Sequence, residues 1–259
     1  MTLEPAVGKG WRAGFGNLLD RELGTWWRTR RWMVHLVLWP GVVAFFCLMV
    51  WLDERRELTG AQGLRESTQL FFQLGGVFGL IGAVLVSQGA IVGERRIGTA
   101  AWVLTKPTTR SAFVLSKFVG ITLSFLLLSL LLPILTWHLQ IWAQWRTLPE
   151  PAHFLEAVGL IALHQTFYIA LTLMLGTIFQ HRGAVAGTAI GFWIAGSILP
   201  NFVPGWLVAL MPWPLINAAT PVALWQPIAL TIWVPSAATV ILTLICLTVA
   251  LLRFEREEF

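Results

Sequence analysis

Charge is what this sequence has least of. Only 12% of its 259 residues are Asp, Glu, Lys or Arg, about half of the roughly 25% that a soluble domain carries. A chain so poor in charge has too little polar surface to cover a water-exposed domain. Cysteine is nearly absent as well. The two present, Cys47 and Cys246, fall near opposite ends of their apolar runs, too far apart in depth for the roughly 7 Å Cα separation that a disulfide tolerates. Three catalytic patterns are missing: HExxH zinc helix, GxSxG elbow and paired carboxylates. His138, His153, His164 and His181 lack ligand spacing on one helix face, so no metal site is expected. Also missing is the GxxxxGK[ST] phosphate loop, which excludes ATP hydrolysis by this chain through that motif.

Long apolar runs are abundant: 56% of residues are hydrophobic and mean hydropathy is +0.72. Six runs, at about 33–52, 68–92, 112–137, 154–179, 184–202 and 232–252, are each long enough to cross a bilayer as a helix. They consume most of the chain and leave no stretch for a soluble catalytic domain of ordinary size. The expected fold is an all-α integral membrane protein, one transmembrane domain over 1–259, with no cleaved signal at its start.

The few charges orient it. An even number of spans puts both termini on one side. With the termini inside, the inner segments hold Lys9, Arg12, Arg21, Arg28, Arg30, Arg31, Arg95, Arg96, Lys106, Arg110, Lys117, Arg182, Arg253 and Arg256, against Arg55, Arg56, Arg65 and Arg146 outside: 14 of the 18 basic residues. The positive-inside rule then makes both termini cytoplasmic. So distributed, the basic residues are topology signals and do not call for nucleic acid. Many of the 15 tryptophans fall near predicted span ends, as an interfacial belt requires.

Two segments outside the spans carry further information. Over 11–31, Trp11, Phe15, Leu18, Leu19, Leu23, Trp26 and Trp27 recur at helical spacing with Arg12, Asp20, Arg21, Arg28 and Arg31 on the other side. This predicts an amphipathic helix lying flat in the cytoplasmic interface. Over 203–231 there is no charge, and five prolines (Pro204, Pro212, Pro214, Pro221 and Pro227) interrupt an apolar stretch. That segment is too broken for a span and too apolar for a solvated loop, so a re-entrant outer lid is expected, buried in protein or lining a cavity.

Ionisable or polar groups inside the spans are few. His164, with Gln165, Thr166 and Tyr168 beside it, either lines a polar path or makes a helix-packing hydrogen bond. Glycine stripes are more frequent. Gly75 and Gly79 form a GxxxG unit in span 2, and Gly183, Gly187 and Gly191 form two in span 5; each lets another backbone approach closely, within the subunit or between subunits.

The sharpest local feature is the cytoplasmic segment between spans 2 and 3, centred on 94–107. Glu94 and Arg95 end span 2, Gly98 allows a bend, 100–104 can form a short helix, Pro107 stops it, and Thr108 or Thr109 can cap span 3. Arg110 and Lys117, seven residues apart, share a helix face within reach of headgroups.

This arrangement resembles the permease subunits of ABC-2 type ABC transporters, whose second and third spans are joined by an acidic residue, Gly-Thr, Leu, Pro, Arg and then Lys. Glu94, Gly98, Thr99, Leu104, Pro107, Arg110 and Lys117 match in order. Ala100, Ala101 and Trp102 depart from the acidic residue and leucine run that many relatives carry after Gly-Thr. The resemblance implies a flat elbow helix, six spans, a re-entrant segment, and assembly with a second permease copy or homologue and with a separate ATP-binding subunit holding ATP and Mg. It further implies that 94–107 meets that ATPase, with Glu94 and Arg110 positioning the loop or merely capping helices and snorkelling. It places the substrate path near spans 2 and 5 in the cell membrane. The scarcity of charge then points to a lipid-like, amphiphilic or hydrophobic substrate. A non-transporting membrane anchor or assembly protein and an intramembrane enzyme are the alternatives.

Overall fold

The computed structural model describes residues 14–54, 59–96, 108–227 and 231–256. Among these residues every regular element is helical. A short first helix, α1 (Phe15–Trp27), precedes α2 (Arg31–Glu54) and α3 (Gly60–Ser87), and a turn leads to the five-residue α4 (Val92–Arg96). After the segment at 97–107 come α5 (Arg110–Trp145), α6 (Pro151–Ile178), α7 (Arg182–Ile198), the short α8 (Gly205–Ala209) and α9 (Pro214–Ala223), and finally α10 (Trp233–Glu255). Six of these, α2, α3, α5, α6, α7 and α10, are long and apolar enough to span a bilayer. The chain is an all-α membrane protein.

Local chemistry explains where several helices begin. Thr59 and Gln62 form a reciprocal capping box, so α3 starts eight residues ahead of its apolar run, in a polar stretch containing Arg65 and Glu66. The Thr109 hydroxyl accepts from the Ala112 N–H at the head of α5 (3.1 Å). Glu150 accepts from the His153 N–H at the head of α6 (3.0 Å), where Pro151 fits the first turn; the backbone N–H of His153 first, and that of Ala152 after it, hold the Glu150 carboxyl below its ordinary range. Within α5 one π-helical turn, Leu127–Leu131, comes just before Pro133. Proline lacks the N–H that would bond back one turn and its ring crowds that carbonyl, and a wider turn relieves both.

The central helix is α6, apolar on all sides, with 67% of its spanning window buried against the rest of the chain; for α2 and α7 the figure is 17%. The latter two form the flanks of the bundle. Where α3, α5 and α6 meet, Gln165 joins them: its Oε1 accepts from the Ser129 hydroxyl (3.1 Å) and its Nε2 donates to the Gly75 carbonyl (2.9 Å). At one end of the bundle Trp137 is fully buried, stacked on Phe154 (ring centroids 5.0 Å apart) and donating to the Ser67 carbonyl (3.2 Å). The α9 helix packs into this end, burying Leu215, Ile216, Ala219 and Val222 against α3 and α6. Gly76 admits it, since a Cβ there would lie 2.7 Å from Ile216.

At the opposite end Phe113 stacks on Phe254 (5.2 Å, 4° between planes). The first described residue and the last residue of α10 both lie here: Gly14 abuts Thr108, and Glu255 lies against Arg110. We call this the terminal end and the other the distal end. The α1 helix follows α5 lengthwise, from Gly14 at Thr108 to Glu22 at Gly120. Both contacts need glycine: Gly14 has φ +79° and a Cβ on it would fall on Thr108, while a Cβ on Gly120 would lie 2.9 Å from Glu22. The buried face of α1 therefore has a protein partner, in addition to any membrane surface it meets.

Candidate functional site

Lys117 lies two turns inside α5 and is 2% exposed. An ammonium so deeply buried is costly unless it is paired and hydrogen-bonded. Here its Nζ donates to Glu22 Oε1 on α1 (2.8 Å) and to Glu94 Oε1 on α4 (2.5 Å), and it sits 4.9 Å from the Phe113 ring centroid. Instead of reaching the headgroups, as its spacing from Arg110 had implied, Lys117 points inward and holds three elements together.

The two arginines beside it do similar work elsewhere. Arg95 donates to the Thr177 carbonyl (2.9 Å) and the Phe179 carbonyl (3.5 Å) at the end of α6. Arg110 donates to the Glu255 carbonyl (2.6 Å) and the Phe254 carbonyl (3.4 Å) at the end of α10, and Ser111 adds a bond to the Glu255 carboxylate (3.3 Å). The last turn of a helix has carbonyls without partners and the negative end of the helix dipole, so a guanidinium there satisfies both. Thus the two flanks of the 97–107 segment are tied to α1, α5, α6 and α10. Glu94, Arg95, Arg110 and Lys117 are brought to one end of the bundle; Gly98, Thr99, Leu104 and Pro107 lie outside the described residues.

Residues 49–259, which hold the last five spans whole and both flanks of the 97–107 segment, match the family model described as ABC-2 family transporter protein. The chain belongs to the ABC-2 transporter family. It is a permease subunit of an ABC transporter, a class of membrane component that works with an ATP-binding subunit. Comparison with the curated proteins gives no match.

Within this ABC-2 permease the two glycine stripes have different surroundings. Gly75 and Gly79 face α6: a Cβ on Gly79 would sit on the Gln165 amide, and one on Gly75 would touch Ile161 at 3.8 Å. By contrast, Gly183, Gly187 and Gly191 are exposed on α7, and a Cβ on any of them meets nothing within 4 Å among the described residues. The α7 stripe is thus open to another chain, and the α3 stripe is already filled.

The polar group around His164 faces the protein interior. His164 and Gln165 are fully buried, and Gln165 is occupied by Ser129 and Gly75. The His164 ring lies 4.9 Å from that of Tyr168, and no carboxylate among the described residues is hydrogen-bonded to either.

Glu22 is the residue that sequence reasoning missed. A signal was present: Leu18, Glu22 and Trp26 follow at four-residue steps, so the carboxylate falls within the buried stripe of α1 and not opposite it.

Proposed function

We propose that this permease is the membrane half of an exporter of a lipid-like, amphiphilic or hydrophobic substrate. It would act as one of two permease copies in the cell membrane, its terminal end cytoplasmic, and its 94–107 segment would receive force from a separate ATP-binding subunit. The chain itself needs no nucleotide site; ATP and Mg belong to the partner.

The observation that carries this reading is the anchoring of the segment's flanks. A push on the segment at 94–96 or at 110 acts directly on bonds to four helices, because Glu94 is joined through Lys117 to α1 and α5, Arg95 to α6 and Arg110 to α10. For nucleotide to drive such a rearrangement, the segment must contact the closed and open ATPase dimers with different affinity. The open α7 stripe offers the second permease copy a surface of close backbone approach. A cavity of about 460 Å³ at the distal end, lined by Gly196, Val208, Trp213, Asn217, Pro221 and Ile232, supports the substrate class. Its lining is mostly apolar with few polar groups, the usual make-up of a site for an amphiphile.

The test uses the purified permease–ATPase complex. Arg110→Glu and Glu94→Arg should lower stimulation of ATP hydrolysis by the permease about 5-fold or more, the low end of typical coupling free energies. Unchanged stimulation and assembly in both variants would reject the coupling role.

A further inference from the structure

Beside the Lys117 cluster, at the terminal end, lies a cavity of about 590 Å³ between α1, α2, the turn joining α3 to α4, and the head of α7. Five ionised side chains line it: Arg21, Arg182 and Lys117 against Glu22 and Glu94. The Lys117 charge is met by the two carboxylates. Arg21 and Arg182 have no carboxylate within ion-pair distance among the described residues, so two guanidiniums from distant parts of the chain converge on one cavity with their charge unanswered.

The position of Arg182 is built by its neighbours. Its guanidinium lies along a trough made by Gly89 and Gly93, one turn apart. A Cβ on Gly93 would be 2.7 Å from Nη2, and one on Gly89 would be 3.1 Å from Nε. Any other residue at these positions would displace the arginine. Arg182 is also the first residue of α7, where the His181 side chain makes no capping bond, so the backbone N–H groups of that first turn add positive potential beside it. His35 lines the cavity too. Its Nδ1 accepts from Trp39 Nε1 (2.9 Å), which leaves the ring proton on Nε2 as a donor.

The opposite wall is aliphatic and open. Val34 on α2 and Leu85 on α3 both line the cavity and are 64% and 54% exposed. Both belong to helices long and apolar enough to span. The cavity therefore joins a polar, cationic half to an apolar mouth on the flank of the bundle. A free phosphate would use only the first half, whereas a phospholipid uses both, its phosphodiester between the guanidiniums and its acyl chains over Val34 and Leu85.

We propose that this cavity binds one anionic phospholipid from the leaflet at the terminal end, with Arg21 and Arg182 as its phosphate ligands. Arginine suits the role because its planar fork matches two phosphate oxygens. The bound lipid would bridge α1 to α7, adding a contact between elements that the Lys117 cluster does not join. The proposal does not depend on the ATPase-coupling reading, because it rests only on the cavity and its cations.

Native mass spectrometry of the full chain in non-ionic detergent tests it, with dioleoyl phosphatidylglycerol and dioleoyl phosphatidylcholine at equal concentration. One phosphatidylglycerol per chain should be retained in preference to phosphatidylcholine. Its apparent affinity should fall about 10-fold or more in Arg21→Gln/Arg182→Gln, as expected for removing two charge-assisted contacts. Arg146→Gln, at the distal end, should leave it unchanged. Arg182→Lys, which keeps the charge but loses the fork, should fall between the wild type and Arg182→Gln. Melting temperature in the same detergent shows that each variant is folded; both arginines are exposed, so little change is expected. Equal retention of the two lipids, or undiminished phosphatidylglycerol binding by the folded double variant, would overturn the proposal. Displacement of the lipid by an equal concentration of soluble glycerol 3-phosphate would assign the cavity to a free anion and overturn it as a lipid site.

Discussion

Lys117 shows how much one buried charge can determine. Its side chain is 3% exposed and those of Glu22 and Glu94 are 16% exposed, so removing the ammonium leaves two poorly solvated carboxylates facing each other. Breaking a buried ion pair by deleting one partner costs about 3 kcal/mol or more, while replacing the whole set by apolar or neutral groups is often tolerated. Lys117→Met should therefore lower the melting temperature of the purified permease sharply, and Lys117→Met combined with Glu22→Gln and Glu94→Gln should recover most of the loss. If the triple variant melts no higher than the single one, the cluster is held by packing and not by charge. The sequence shows that Arg110 and Lys117 share a face, because seven residues is two helical turns. What that face looks at was not legible there, since the partner on α1 lies 95 residues away in the chain and no local pattern joins the two.

At the scale of elements, two glycine stripes that look equivalent in sequence give opposite expectations. On α3, Gly79→Ala would place a methyl group on the Gln165 amide and disturb its bonds to Gly75 and Ser129, the polar link among three spans. Overpacking of this kind costs about 1–3 kcal/mol. On α7, Gly187→Ala meets nothing within 4 Å among the described residues and should leave the melting temperature of the isolated subunit unchanged or slightly raised. Gly187→Leu, however, should weaken association between permease copies, read by the dimer fraction in detergent or by cross-linking in membranes. A Gly187→Leu chain that associates as well as the wild type would remove α7 from the interface. Small residues four apart state that something approaches closely, not what approaches, so the stripe alone left both choices open. The tryptophans carry the same ambiguity: Trp142, Trp206, Trp225 and Trp233 are more than half exposed, as belt residues can be, yet Trp137 is wholly buried between α3 and α6. Position near a span end does not separate an anchor from a core residue when helices run past the apolar stretch. Both α3 and α5 do so, the first through its capping box and the second by continuing to Trp145.

For the whole molecule the apolar runs made the six spans legible, because a bilayer demands about 20 residues per helix and little else in a chain does. The direction of insertion rests on a different quantity, the 14 basic residues on one side against four on the other. Function depends on that direction: ATP is cytosolic, so the 94–107 segment can meet an ATPase only if the terminal end faces the cytoplasm. The structure contributes the geometry for a direct test, since Gly14, Thr108, Arg110 and Glu255 lie together at one end while the loop joining α5 to α6 lies at the other. Both native cysteines are buried and free, Cys47 fully and Cys246 to within 7%, so they should give little background with a membrane-impermeant maleimide. Leu148→Cys, at an exposed position of the distal loop, should be labelled in intact cells. Asp20→Cys on the exposed side of α1, and Arg256→Cys just past α10, should be labelled only after permeabilisation. The reverse pattern would place the Lys117 cluster and the 94–107 segment outside the cell, where no ATP-binding subunit could reach them, and the coupling mechanism would fall with it.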